Sequence, residues 1–202
     1  MCIRDRNVTV ETGWDWHKIA ADLRAGTSPL QSEDELDVGL GRKVVFGRDE
    51  SGRAFFTFKD AIGESEFGSS AVWETSSIRR KLNENFLRTL PDDLIEEIQL
   101  YKSTQTVDDV EYTTGDCLFL LSVTQVFGWD DDYDDPNESQ IDIFKDRRNR
   151  IKKYEGRDCY WWLRSANGNG SAYGVTNSGN TNFTNTSYTY AVCPSFCLES
   201  NI

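Results

Sequence analysis

The sequence predicts an α+β fold: a small twisted antiparallel sheet, helices packed to its side, and a loop-rich face near the C-terminus. Three observations predict it. Apolar residues recur at helical spacing in several segments of the first half of the chain. Short runs of β-branched and aromatic residues, bounded by turn residues, lie between them. Toward the C-terminus, two aromatic, strand-like stretches enclose a long segment of Asn, Thr, Ser, Gly and Tyr that carries no charge.

The elements follow in order. Residues 14–26 read as a helix, with Trp16, Ile19, Ala20 and Leu23 on one side and Gly26 as its stop. A polar loop runs from Thr27 to Asp37. Val44-Val45-Phe46 and Phe55-Phe56-Thr57-Phe58 read as a β-hairpin about the turn Asp49-Glu50-Ser51-Gly52. Ser76 or Ser77 caps a helix through Leu87 with the stripe Ile78, Leu82 and Phe86. Pro91 ends that helix or opens the next, which buries Leu94, Ile95 and Ile98. Residues 116–122 are apolar on both faces and read as a central strand, with Thr124 capping a short turn of helix after it. Asp130 to Asp135 form a dense acidic run. No Gly follows its third acidic position and no Glu closes the loop at the EF-hand spacing, so it reads as a solvated loop. Residues 141–156 read as a basic amphipathic helix with Ile141, Phe144, Arg148 and Ile151 on one side and Gly156 as its stop. Cys159 to Ser165 is an aromatic strand, and Val192 to Leu198 returns to a strand-like pattern.

Composition bounds the function. A chain of 202 residues suits a single domain that buries a core without disulfide staples. Its 38 % apolar and 12 % aromatic content marks a folded protein. A formal net charge of -12 opposes a phosphate backbone and an anionic membrane surface, so nucleic acid is not an expected partner. The longest apolar run, Cys117 to Val123, falls far short of the ~20 residues that span a bilayer, so direct membrane insertion is not expected either. The N-terminus shows no secretory signal. However, Met1-Cys2-Ile3-Arg4-Asp5-Arg6 is what translation of a common transposon-type sequencing adapter gives. Residues 1–6 are therefore read as non-native and 7–202 as the domain, which leaves the native start and any leader open.

Catalytic chemistry is hard to place. His17 is the single histidine, and it sits in a helix away from any Ser or Cys motif. No GxGxxG, Walker loop or HExxH is present, and no pair of carboxylates stands in an apolar setting. Of the five cysteines, Cys117 and Cys159 have apolar surroundings. Cys193 and Cys197 flank Pro194-Ser195-Phe196, but no CxxC pair or helpful histidine supports a metal site. The expectation is no enzyme, no cofactor and no metal.

The uncharged segment from Ala166 to Tyr190 is the strongest signal, in a chain that is 28 % charged. Its composition is that of binding loops. Tyr gives a large, stiff, amphipathic surface at low entropic cost, and Ser, Gly and Asn give adaptable hydrogen bonding. The flanking strands would hold such loops rigidly. The plainer readings are a polar linker, against which three tyrosines, Phe183 and the spaced glycines argue, and a polar β-meander that binds nothing.

Residues 73–98, then 116–128, then Tyr160-Trp161-Trp162-Leu163-Arg164-Ser165-Ala166 and Val192-Cys193-Pro194, resemble a domain of unknown function common in gut bacteria and their phages. The shared pattern is a Ser-x-(Ile/Leu)-Arg-x-x-Leu-Asn helix, here Ser76 to Asn83, an FLLS element, a WWLRS strand and a closing VRP, where Cys193 stands in place of the Arg. The ending is also similar to the C-type-lectin-like fold of sulfatase-modifying enzymes and of variable proteins of diversity-generating retroelements. In those systems adenines of a template are randomised as it is copied, and Asn codons yield Tyr, Ser, Thr, Gly, Phe and Asp but never a stop. The resemblance implies a variable region at 166–190. Its ligand-facing positions would be Asn167, Asn169, Ser171, Tyr173, Asn177, Asn180, Asn182, Phe183, Asn185, Ser187, Tyr188 and Tyr190. It also implies a protein or glycan ligand, and a place on a phage virion or bacterial cell surface.

Three functions compete on these residues. The first is a diversified receptor-binding or adhesion protein anchored on Tyr173, Phe183, Tyr188 and Tyr190. The second is an invariant structural or assembly module of a phage or bacterial surface. The third is an enzyme with Cys193 or Cys197 as nucleophile.

Overall fold

The computed structural model describes residues 14–129 and 134–199. The adapter-like residues 1–6 and most of the acidic run, 130–133, lie outside them. Helix α1 (Trp16–Arg24) is capped by Asp15, whose carboxylate accepts from the Lys18 N–H at 2.9 Å. It buries Trp16, Ala20 and Leu23. Gly26, at φ 67°, takes the left-handed turn that ends it. Strands β1 (Glu35–Asp37), β2 (Lys43–Arg48) and β3 (Ala54–Phe58) follow, then β4 (Gly63–Glu66).

Ser76 caps α2 (Ser77–Arg80), which widens into a π-helical turn at Lys81–Phe86 and tightens into a 3-10 turn at Leu87–Thr89. Pro91 opens α3 (Asp92–Glu97). Strands β5 (Tyr101–Val107) and β6 (Val110–Asp116) form a hairpin to which the sequence reading assigned nothing. Its turn residues Asp108 and Asp109 both have positive φ, 50° and 64°, as a two-residue hairpin turn requires. Asp-Asp is a weak signal for that geometry. After α4 (Val123–Phe127) come two 3-10 turns, then β7 (Lys152–Tyr154), β8 (Arg157–Cys159), β9 (Trp161–Ala166), β10 (Ser171–Val175), β11 (Thr181–Asn185), β12 (Thr189–Val192) and β13 (Ser195–Phe196).

The class is mixed α+β, with several small sheets rather than the single one expected. One is four-stranded, in the order β1-β2-β3-β13, and one is five-stranded, in the order β11-β10-β9-β12-β4. Two more are the β5-β6 and β7-β8 hairpins. Pairing is antiparallel except where β12 runs parallel to β9. The closing strand-like stretch is split between the two larger sheets: Val192 ends β12 and Ser195 begins β13. Pro194 sits at the break, where its missing N–H leaves no ladder bond unmade, and its carbonyl accepts from the Phe58 N–H at 3.0 Å. The core of the four-stranded sheet centres on Trp16, Phe56 and Phe196, with the two Phe rings stacked at 5.2 Å.

Three further expectations are corrected. Residues 117–122 are buried throughout but form no strand. Their backbone is satisfied mostly by side chains and a single bridge, Phe119 with Ser195, so apolarity on both sides reported burial and not a ladder. Ser122, not Thr124, caps α4, in a reciprocal box with Gln125. Residues 141–156 are not a helix. The two 3-10 turns, Asp142–Lys145 and Arg147–Arg150, lead into the β7-β8 hairpin, where Gly156 makes the turn at φ 78°. Lys152 is buried there. It donates to the Phe58 carbonyl at 2.9 Å and lies against the rings of Phe144 and Trp161.

Candidate functional site

The site is built on β9. All six of its residues are buried, and Trp162 anchors it by donating from its indole to the Ser65 carbonyl at 2.9 Å. Arg164, 1 % exposed, is the hub of a buried polar knot. Its Nη1 donates to the Leu120 carbonyl at 3.0 Å and to Gln125 Oε1 at 2.9 Å, and its Nη2 pairs with the buried carboxylate of Glu138. Glu138 also accepts from the Tyr101 hydroxyl at 2.8 Å. Ser165 donates to Asp134, a member of the acidic run that is buried and not solvated as expected, and accepts from the Val123 N–H at 2.8 Å. Asn83 closes the knot from α2's extension. Its Oδ1 accepts from the N–H groups of Cys117 and Leu118, and its Nδ2 donates to the Leu118 carbonyl. Sequence reasoning missed Asn83, Tyr101, Gln125 and Glu138 as partners, although Asn83 and Arg164 stand inside the quoted motifs.

Outside this scaffold, the uncharged segment is the regular hairpin of β10 and β11 followed by β12, which pairs with β9 and β4 and not with β11, where loops were expected. Glycines at φ 73° and 78° (Gly168 and Gly179) make its turns, and β-branched Thr181, Thr184 and Thr189 suit its strands. None of the predicted ligand-facing residues is buried. The buried residues of the segment are Ala166, Ala172, Gly174, Val175, Gly179 and Thr186.

The register divides the predicted set. Ser171 faces Asn185, Tyr173 faces Phe183, Gly174 faces Asn182, and opposed residues project to the same side. One face therefore carries Ser171, Tyr173, Phe183 and Asn185, with the Tyr173 and Phe183 rings edge to face at 6.2 Å. The turns holding Asn167, Asn169, Ser187 and Tyr188 meet at the same end of this sheet, where the Thr186 N–H donates to the Gly170 carbonyl at 3.1 Å. Phe183 and Tyr188 are 58 % and 60 % exposed. Asn182 and Tyr190 lie on the opposite face and are tied together by an amide-to-hydroxyl bond of 2.8 Å. The Tyr190 ring packs between Trp162 and Tyr160, at 4.6 Å and 5.3 Å. Gly174 makes room for it, since a Cβ there would stand 3.3 Å from the Tyr190 ring and 2.8 Å from the Trp161 carbonyl. Asn177 and Asn180 sit at the far end, beside Arg147, which donates to the Ser178 carbonyl at 2.7 Å. The predicted residues thus fall into one cluster plus two separated pairs.

Other reactive groups are poorly placed for chemistry. Cys193 and Cys197 are fully buried, and burial pushes both thiols far above their ordinary range, the reverse of an activated nucleophile. Half-buried Cys159 is pushed up to about 11, again by burial. His17 is exposed on α1 and bonded to Glu97 at 2.7 Å. Among the described residues, no three His, Cys, Asp or Glu side chains come together as a metal site, and no helix is long and apolar enough to cross a membrane.

The chain belongs to the family described as a domain of unknown function (DUF6273), which matches residues 51–200. No curated protein and no solved structure matches it.

Proposed function

We propose that this member of the DUF6273 family is a ligand-binding protein of the receptor or adhesion type, in which β10, β11 and their turns present a diversified face on a C-type-lectin-like scaffold. The observation that carries the reading is the division of the uncharged segment. Its buried members are Ala166, Ala172, Gly174, Val175, Gly179 and Thr186, while Phe183, Asn185, Ser187 and Tyr188 are exposed. That arrangement lets side chains change while the strands stay put. Tyr173, Phe183 and Tyr188 are the anchors, since aromatic residues supply most contact energy at low entropic cost. Asn167, Asn169, Ser171, Asn185 and Ser187 supply adaptable polar contacts. Asn182 and Tyr190, locked to each other and to Trp162, serve as support. Residue types that fit adenine-directed change of Asn codons support reading the chain as the variable protein of a diversity-generating retroelement.

The test is binding of the purified chain to intact gut-bacterial cells and to a glycan array. Joint replacement of Tyr173, Phe183 and Tyr188 by Ala is expected to abolish binding and leave the melting midpoint within a few degrees. Unchanged binding would reject the assignment of this face.

A further inference from the structure

Strand β11 is an edge of the five-stranded sheet, and no strand among the described residues pairs with its outer side. The ladder's parity is set at both ends: the Thr176 N–H donates to the Asn180 carbonyl at 2.8 Å, and the Thr186 N–H to the Gly170 carbonyl at 3.1 Å. Hydrogen-bonded and non-bonded pairs alternate in an antiparallel ladder. Asn182 and Thr184 therefore turn their backbone groups toward β10, and Thr181, Phe183 and Asn185 turn theirs outward. Natural edges are protected by charge, proline, bulges, brevity or a cover. The other edges here follow that rule. β1 is three residues long and carries Glu35 and Asp37, β4 carries Glu64 and Glu66, and β6 carries Glu111 and Asp116. β13 is two residues long and is bridged by Phe119. Strand β11 pairs with β10 without a bulge, has no charge or proline, and exposes Phe183 at its centre.

We propose that the β11 edge pairs antiparallel with the β11 edge of a second copy of this chain, joining two five-stranded sheets into one. Two features favour a second copy. At a formal net charge of -12 two copies repel each other over most of their surface, and the stretch from Ala166 to Tyr190 is where they approach without charge. The sequence Thr181-Asn182-Phe183-Thr184-Asn185 is also self-complementary about its centre. Phe183 meets Phe183 of the second copy, and every other pair is Thr against Asn. Phe183 and the flanking Thr181–Asn185 pairs fall at positions whose backbone groups face outward, and of these the Asn185 carbonyl already accepts from the Tyr188 N–H at 3.0 Å, which leaves the Thr181 and Phe183 groups and the Asn185 N–H for the second copy. The two-fold axis stands perpendicular to the sheet. Both Tyr173–Phe183 clusters then face the same way, which doubles the binding face and gives avidity for a repetitive surface. A strand of this length buries less than the ~1,000 Å² of a stable interface, so the dimer is weak and concentration-dependent.

Sedimentation equilibrium of the full chain over a wide concentration range tests this without any ligand. The wild type is expected to dimerise, more strongly at high salt because screening relieves the repulsion. Phe183→Lys places like charges across the axis, and Phe183→Pro removes an outward donor that the chain's own ladder does not use. Both are expected to weaken the dimer at least tenfold while keeping the wild-type circular dichroism. A wild type that stays monomeric throughout overturns the proposal and leaves the edge to a strand of another protein. A dimer that both variants leave intact also overturns it. Because sedimentation needs no ligand, failure here is distinct from failure of the binding assignment.

Discussion

Residues 117–122 and the β10-β11 hairpin hold their backbones in opposite ways. The first is buried and irregular, and its peptide groups depend on particular side chains: Asn83 for Cys117 and Leu118, Arg164 for Leu120. The second is regular, and its peptide groups pair with each other, so its ladder does not depend on its outward side chains. In the knot a side chain is part of the fold, because an unmatched polar group inside the protein costs its full desolvation. On the outward face of the hairpin an exposed side chain such as Phe183 is replaceable, because the ladder bonds are made by the backbone. A protein that presents changing residues needs both kinds of region side by side.

The sharpest way to break this comparison is Arg164→Met. It leaves the Glu138 carboxylate buried without its cation and strips the Leu120 carbonyl of a donor, so urea unfolding should show a loss of about 3–5 kcal/mol. The double variant Arg164→Met with Glu138→Leu should recover much of that loss, since the Glu138 carboxylate is then no longer buried without its cation. A single-variant loss under 1 kcal/mol would mean that the knot is not what holds residues 117–122. Gly174→Ala comes next. Its Cβ would press on the Trp161 carbonyl and the Tyr190 ring, at an expected cost of roughly 1–3 kcal/mol by the same measurement. On the outward face, Phe183→Ala should change stability by about 0.5 kcal/mol or less. Asn182→Ala, which removes an amide donor from the Tyr190 hydroxyl, should cost about 1 kcal/mol. If the two hairpin variants cost the same, the division between free and supporting positions fails.

The smallest effect lies far from both regions. The hydrogen bond from His17 to Glu97 raises the imidazole's pKa above its ordinary value. That contribution to stability is full below the ordinary His pKa of ~6.5 and fades as pH rises through the raised value. The melting midpoint of the wild type relative to His17→Gln should therefore shrink between pH 6 and pH 8, and a difference that grows would contradict the pairing.

Much of the local fold was legible. Helical spacing marked α1 through Trp16, Ala20 and Leu23, and Ser76 and Pro91 marked the starts of α2 and α3. Gly52 and the aromatic run before Phe58 marked the first hairpin. The failures share one physical cause. Periodicity reports burial on a face, not how backbone groups are satisfied. Residues 117–122 and 141–156 have strand-like and helix-like patterns, yet the first takes its hydrogen bonds from Asn83 and Arg164, and the second is bent around buried Phe144 and Lys152. Within the site, composition singled out the segment from Ala166 to Tyr190. It could not supply register, and register is what sends Tyr173 and Phe183 to one face and Asn182 and Tyr190 to the other. The Arg164 knot was invisible because its partners, Tyr101, Gln125 and Glu138, are far apart in sequence.

The most direct test of the central claim is the DNA around the gene, read for a second copy of the stretch encoding residues 159–198. A diversified face predicts a copy whose mismatches fall only at adenines and map to outward codons such as those of Tyr173, Phe183, Asn185, Ser187 and Tyr188, with none at Ala172, Gly174, Val175 or Thr186. A complete locus without such a copy, or mismatches gathered at the buried codons, would contradict it.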